Sequence, residues 1–321
     1  MYNEKIKEAF LKNYDADTAV IYRYKLRGAE RNERALQKDL YSFTRAEIED
    51  TLRDMAQPSL GSIAMAANVF KNYIDWASAH GYSNSSINPI ANLTRDSLFR
   101  LIDHSKKQFL TEEELAELED KKLVNGQDKV VFRLLFEGLK GSQLSEIRNL
   151  HYKDIDFDNN IIKVRGEMER EVKVSDRCLR IITEAYKESV YIVNNGESVF
   201  QRANPEKKLI RNDFIIRSID NGRVLDENAP VGNMTLYTRV KMLKKFFDYP
   251  YLTPTNIARS GMIKVGKDIY EETGELTNND LRTIVQNFGH KKSKLQGKMD
   301  YNLIGIKEDV NIENIKKLYE I

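Results

Sequence analysis

The sequence predicts a mainly helical protein of two domains, with a small β-hairpin or sheet set into the second. Three observations carry that expectation. Apolar residues recur at helical spacing behind recognisable N-caps through the first 81 residues. A polar stretch interrupts the pattern between Asn88 and Lys107. Helical periodicity then resumes and is broken by a run that alternates at period two between Asp156 and Val174. A chain of 321 residues is long enough for one large or two ordinary domains, each burying its own core.

In the first domain, residues 1–103, the opening 13 residues read as a short amphipathic helix with Ile6, Ala9, Phe10 and Leu11 inward. Asp15 or Asp17 caps a second helix, Thr18 to about Arg31, whose buried stripe is Ala19, Tyr22 and Leu26. Thr44 and Glu47 form a capping box for a third, with Ile48, Leu52 and Met55 inward, and Gln57-Pro58-Ser59 breaks it. A fourth runs from Ser59 to His80 over Ile63, Ala67, Phe70, Ile74 and Ala77, and Gly81 stops it. The stretch from Asn88 to Lys107 is expected to connect the domains, with a short helix at Ser97–Ile102. The linker proper is placed at 104–108, with His104 in solvent.

The second domain, residues 109–321, opens on a Thr111–Glu114 capping box. A helix at Lys129–Leu139 leads into a turn marked by Gly138 and Gly141, and Ser145 is the expected cap of a helix burying Ile147 and Leu150. Ile161, Ile162 and Val164 face Val172 and Val174 across a hairpin tip, Arg165-Gly166-Glu167-Met168-Glu169. Asp176 is expected to cap a helix from Arg177 to Val193. Two more helices are expected near Asn204–Asp220 and Met234–Asp248, split by the loop Asn221–Gly232. The second of these is expected to expose Arg239, Lys241, Lys244 and Lys245. A last helix, Asp309–Ile321, carries Ile312, Ile315 and Leu318 on one stripe.

Composition narrows the function classes. With 41% hydrophobic and 31% charged residues the chain matches neither disordered nor membrane-embedded proteins. No apolar run approaches the ~20 residues of a membrane span, so no membrane partner is expected. The start, MYNEKIKEAF, has no signal-peptide core. A single cysteine, Cys178, excludes an intrachain disulfide and reads as a buried small hydrophobe in a reducing cytosol. No His/Cys/Asp cluster has metal-ligand spacing, and no metal or cofactor is expected. The net charge of +2 is unevenly spread. Residues 108–201 hold 14 Lys/Arg against 19 Asp/Glu, whereas residues 202–301 hold 18 against 12, an excess that suits a phosphate-binding surface.

The run Ser145-Glu146-Ile147-Arg148-Asn149-Leu150-His151-Tyr152-Lys153-Asp154-Ile155-Asp156 resembles the first signature of the tyrosine recombinases, the phage integrase family. Leu252–Gly261 resembles the family's His-x-x-Arg signature, and Leu281–His290 its Gly-His motif. In the first domain Tyr14…Thr18…Tyr22, Phe43-Thr44, Phe70–Gly81 and Ile87-Asn88-Pro89 resemble the core-binding domain. The resemblance covers nearly the whole chain. It implies a two-domain tyrosine recombinase fold, a helical SAM-like core-binding domain followed by an integrase catalytic-like domain. It implies double-stranded DNA as the partner, met by polar faces of the second and fourth helices, here Arg23, Arg27, Ser62, Asn68, Lys71 and Asn72. In the family the terminal helix commonly docks on a neighbouring subunit, so a homo-oligomer through residues 309–321 stands beside packing on its own domain.

The departures from the family bear on the chemistry. Counting back from Ser145-Glu146 puts Gln143 where the family has its first catalytic arginine. Aligning on Ser260 puts Thr255 at the histidine and Ala258 at the second arginine, with Arg259 one residue late, about 100° around a helix. The hairpin that delivers a lysine in the family carries Glu167, Glu169 and Glu171 here, with Lys163, Arg165 and Arg170 around them. His290 falls on the Gly-His histidine, Met299 on the usual place of the nucleophilic tyrosine, and Tyr301 lies nearby. Such enzymes cut DNA without a metal, a tyrosine oxygen attacking phosphorus while arginine forks hold the developing charge. Glutamine donates a hydrogen bond but brings no charge, and each lost donor costs about 10²–10³ in rate. Gln143, Thr255, Ala258, Arg259, His290 and Tyr301 are therefore read as vestigial positions. DNA binding, spread over many contacts, survives such losses. The expected role is a sequence-specific repressor or regulator of transcription in a temperate phage, acting in the bacterial cytoplasm without strand cleavage. The alternative is an active recombinase using Arg259, His290 and Tyr301 with Arg148 or Arg165.

Overall fold

Side-chain caps set the frame of the first unit, Met1–Lys107. The computed structural model describes residues 1–57, 59–83, 85, 87–102, 107–196, 205–222, 226–247, 249, 251–295 and 297–321. The break at Pro58, the exposure of His104, most of the 104–108 linker and the side chain of Lys245 fall outside what is described. The unit comprises α1 (Glu4–Leu11), α2 (Ala16–Gly28), α3 (Glu30–Leu36), α4 (Arg45–Asp54), α5 (Leu60–Ala79) and α6 (Arg95–Phe99). Asp15 accepts from the Thr18 N–H at 2.9 Å, and the Thr44–Glu47 capping box opens α4 as expected. The expected helix from Thr18 to Arg31 is two helices, because the chain tightens at Ala29, whose N–H turns back to Leu26. Phe10, Leu26, Leu52, Phe70 and Tyr73 fill the core.

The stretch after Asn88 is no connector as far as residue 102. Ile90, Leu98, Leu101 and Ile102 are buried in the same core, and Thr94 rather than Ser97 begins the helix. Four apolar side chains that find a core gain more from burial than a free linker would. Deep in this unit Lys7 is fully buried, donating to Glu33 at 2.6 Å and Asp39 at 3.2 Å, with the Tyr73 hydroxyl donating to Asp39 at 2.9 Å.

The second unit, Gln108–Ile321, begins with α7 (Glu112–Glu117) behind the expected Thr111–Glu114 box, then α8 (Gly126–Phe136) and α9 (Ser145–Arg148). Strands β1 (Ile155–Asp156), β2 (Ile161–Val164) and β3 (Arg170–Lys173) form an antiparallel sheet in that order, Val164 opposite Arg170. Next come α10 (Asp176–Lys187), β4 (Val190–Ile192) and β5 (Glu206–Lys208), the two strands paired antiparallel. The unit closes with α11 (Asn233–Phe246), α12 (Pro254–Thr273), α13 (Asn278–Asn287), the hairpin β6 (Ser293–Leu295) and β7 (Lys298–Asp300), α14 (Ile304–Asp309) and α15 (Ile312–Tyr319). Helix α8 is buried at almost every position and packs on α10 and α12. Where α12 crosses its end, a Cβ on Gly261 would overlap the Phe136 carbonyl oxygen, so only glycine permits the approach.

Several expectations are corrected. Ser145 lies inside α9 and caps nothing, because Gln143 and Leu144 both take left-handed backbone and bring the chain in without a side-chain cap. Ser175, not Asp176, caps α10, accepting from the Cys178 N–H at 3.2 Å. That helix stops at Lys187, since the β-branched and aromatic run Val190-Tyr191-Ile192 is an extended strand. The helix expected over Asn204–Asp220 is absent from its described part. Strand β5 pairs with β4 there, and Phe214, Ile215 and Ile216 are buried from irregular backbone. The expected terminal helix is present as α15, capped by Asn311, and only its start differs, since Asp309 ends α14. Ile315 of α15 is fully buried in this unit and the helix packs on α12. Of the stripe expected on this helix, Ile315 is buried within the unit, while Ile312 and Leu318 are half-buried.

Candidate functional site

Two glycines shape the turn that leaves α8. Gly138 and Gly141 take φ of 104° and 64°, and a Cβ on Gly141 would lie 2.5 Å from the Ser145 hydroxyl oxygen. Between them Lys140 is held by its N–H on Glu146 (2.8 Å) and by its ammonium, which donates to Thr255 Oγ1 at 3.1 Å. Arg170, at the start of β3, grips both oxygens of Glu146 at 2.6 and 3.0 Å. The same guanidinium donates to the Gly138 and Asn287 carbonyls at 2.9 and 3.0 Å, tying sheet, turn and α13 together.

The Gly-His pair follows from this geometry. Gly289 takes φ of 68°, and a Cβ there would stand 2.7 Å from Arg170 Nη1. His290 comes next, and its imidazole is pushed below its ordinary pKa by burial and then by Arg259, Lys140 and Arg170. Burial, then Arg259, likewise lowers the Lys140 ammonium. Arg259 projects from α12 with Nη1 donating to the Gly305 carbonyl at 2.8 Å, and it also pairs with Asp309 of α14. Burial lowers its pKa.

Lys140, Arg170 and Arg259 therefore gather beside a His290 imidazole that burial and their positive charge hold toward its neutral form, with Arg170 paired to Glu146 and Arg259 to Asp309. That arrangement can hold an anionic oxygen such as a phosphate's. Of the positions read as vestigial, the structure unites Thr255, Arg259 and His290 here. Gln143 is engaged elsewhere, its side-chain carbonyl accepting from Asn233 of α11 at 2.9 Å. Ala258 is buried in the apolar cluster under α12 and α13. Tyr301 lies in that same cluster with the Lys292 ammonium 5.3 Å from its ring centre, and Met299 is 64% exposed on β7. Sequence reasoning missed Lys140 and the role of Arg170. A basic residue between two turn-forming glycines was the available signal for the first; the second depended on the fold.

The expected DNA-contacting residues separate into groups. Arg27 and Asn68 are exposed on α2 and α5. Arg23 is bound by Glu8 at 2.7 and 2.8 Å, Ser62 by Lys25 and Gln57, and Asn72 by the Tyr22 hydroxyl at 3.3 Å. Lys71 is half-buried. The outer face of α2 and α5 also presents Val20, Tyr24 and Met65, apolar residues that the sequence reading passed over. In the second unit Lys241 is exposed and Lys244 half-buried. Arg239 is a correction: it is 6% exposed, its guanidinium 4.4 Å from the Tyr191 ring centre. The Tyr191 hydroxyl in turn donates to the buried Asp128, whose carboxyl is raised by burial and lowered in part by the positive charge of Arg239. His151 packs on Phe214. Among the described residues no group of three or more His, Cys, Asp or Glu is placed to hold a metal, and no helix is long and apolar enough to cross a membrane.

Two family models match this chain, one described as "MrpR, N-terminal core-binding domain" over residues 1–79, the other as "MrpR, C-terminal catalytic domain" over residues 109–320. The chain is similar to the SPbeta prophage-derived uncharacterized protein YopR of Bacillus subtilis (strain 168). The two are 30% identical over 325 residues, covering 99% of this chain and 97% of that protein. A shorter match, 31% identical over 124 residues, covers 31% of this chain and 37% of the probable integrase/recombinase protein MJ0367 of Methanocaldococcus jannaschii. Among solved structures, XerA recombinase is 16% identical with a TM-score of 0.44, covering 99% of this chain and 97% of that one. The Tn1549 transposon integrase, solved with circular intermediate DNA, is 14% identical with a TM-score of 0.47, covering 98% and 99%.

Proposed function

Since the chain belongs to the MrpR family, with that family's core-binding and catalytic-like domains and a prophage protein among its relatives, we propose that it binds specific duplex DNA to regulate phage transcription and does not cut it. One observation carries the reading: the position of the first catalytic arginine is Gln143, an amide hydrogen-bonded to Asn233. Strand breakage also needs a hydroxyl about 3–3.5 Å from a phosphorus held by cations. Tyr301, the nearby candidate, is 8% exposed within an apolar cluster, and Arg259 already faces Asp309 and the Gly305 carbonyl. The cluster of Lys140, Arg170 and His290 is then an anchor for a phosphate rather than a machine for breaking it.

The test combines two measurements on the full chain. Gel shifts with fragments of the prophage-bearing genome are expected to give sequence-preferring, salt-sensitive complexes. Suicide duplexes nicked beside each bound site are expected to give no covalent adduct. A covalent adduct that disappears in Tyr301→Phe overturns the proposal. It would favour the second reading, an active recombinase with an unorthodox site, for which the surviving basic groups around His290 are the supporting observation.

A further inference from the structure

The hairpin that follows His290 has no part in the anion cluster, and its residues were not among those expected to meet DNA. Its base is fastened three ways. Arg282 of α13 grips Asp300 at 2.9 and 3.1 Å, Lys291 pairs with Glu167 at the tip of the three-stranded sheet at 2.6 Å, and Lys292 lies over the Tyr301 ring. Beyond that base every described residue of β6 and β7 is exposed except Asp300. Among the described residues neither Lys294 nor Lys298 has an acidic partner, and Leu295 and Met299 are 36% and 64% exposed.

Register decides what such a ribbon can fit. Lys294 is opposite Met299 and Leu295 is opposite Lys298, and directly opposed residues share a face. Each face therefore carries one ammonium and one apolar side chain. A flat protein surface would meet one face and leave the other cation in solvent. The major groove of duplex DNA has a phosphate chain on both walls, admits a two-stranded ribbon, and offers apolar side chains the thymine methyl groups. An isolated two-stranded hairpin is marginal in water, so its fastened base preserves an exposed tip that packing alone would not hold.

We propose that the β6–β7 hairpin is a DNA-contacting wing that enters the major groove with one face to each wall, Lys294 and Lys298 meeting phosphates on opposite walls while Met299 and Leu295, each on the face of one lysine, lie against the sugars and base edges of the same wall. The inference rests on the duplex-binding reading, and the experiment separates the two. Full-length protein and the variants Lys294→Ala/Lys298→Ala and Leu295→Ser/Met299→Ser are titrated by fluorescence anisotropy. The probes are the tightest-binding genomic duplex and a scrambled duplex of equal length, each at several salt concentrations. Loss of two phosphate contacts is expected to flatten the slope of log affinity against log salt by about 1.8, with similar weakening on both duplexes. The serine pair is expected to weaken binding with the slope kept. All these side chains are exposed, so thermal melting is expected to match wild type. An unchanged slope in the lysine pair overturns the wing, as does a changed oligomeric mass in the serine pair with DNA affinity intact. Wild-type protein that retains neither duplex at any salt overturns the DNA-binding reading itself, and the wing falls with it.

Discussion

Gly261→Ala strikes a place where α12 meets the end of α8 backbone to backbone. The added Cβ would overlap the Phe136 carbonyl oxygen and stand 2.8 Å from its carbon and 3.2 Å from its Cα. Those are main-chain atoms of a buried helix, so no rotamer change relieves the contact; α12 must shift. Overpacking of this kind costs about 1–3 kcal/mol, and the backbone partner places this case near about 3 kcal/mol. For a unit of this size each kcal/mol moves the melting temperature by about 2–4 °C, so a fall of about 6–12 °C is expected by calorimetry. Helix α12 also carries Thr255 and Arg259, and its displacement pulls them from Lys140 and His290. Duplex affinity is expected to fall with stability. Gly61→Ala is the matched control: it lies in the first turn of α5 with nothing within 4 Å of where the new methyl would stand, and is expected to be neutral or stabilising by about 0.5–1 kcal/mol. A Gly261→Ala protein that melts within a degree of wild type would refute the packing argument.

Lys7→Met leaves Glu33 and Asp39 buried without their cation and is expected to cost about 3–5 kcal/mol, read from urea unfolding of the first unit. His290 has a folded pKa below its ordinary 6.5, so the unfolded chain binds the proton first; stability is held above that value and declines as pH falls from 6.5 toward the folded pKa. In His290→Gln that part of the acid-side decline is expected to vanish from melts run between pH 7 and about 5. Tyr301→Phe keeps the packed ring and is expected to leave duplex affinity within about twofold of wild type by anisotropy, since the hydroxyl makes no described hydrogen bond to the anion cluster.

Much of the fold was legible because its signals are local. A cap reaches three residues along the chain, so Thr44 with Glu47 and Thr111 with Glu114 announce α4 and α7 without knowledge of anything distant. The stripes of α5 and α8 report burial through periodicity in the same way. Reading failed where competing local signals were close in strength. Ser175 and Asp176 are both good caps, and the backbone at 175 is the extended one. Residues 205–220 carry apolar spacing that suits a helix, yet the open edge of β4 takes Glu206–Lys208 as a partner strand.

The candidate site divides along the same line. That His290 follows a glycine, and that counting back from Ser145-Glu146 leads to Gln143, could be read residue by residue. Which cations would surround that histidine could not. Lys140 meets Thr255 across 115 positions, Arg170 meets Asn287 across 117, and Arg259 meets Gly305 across 46. Arg239, one more basic residue on a basic helix, is buried with its guanidinium over the Tyr191 ring. Charge content is a property of the chain, but whether a charge faces solvent, a carboxylate or a phosphate depends on which surfaces pack together. Contacts of that range exist only after the loops between them have closed, and no pattern within a few residues encodes them.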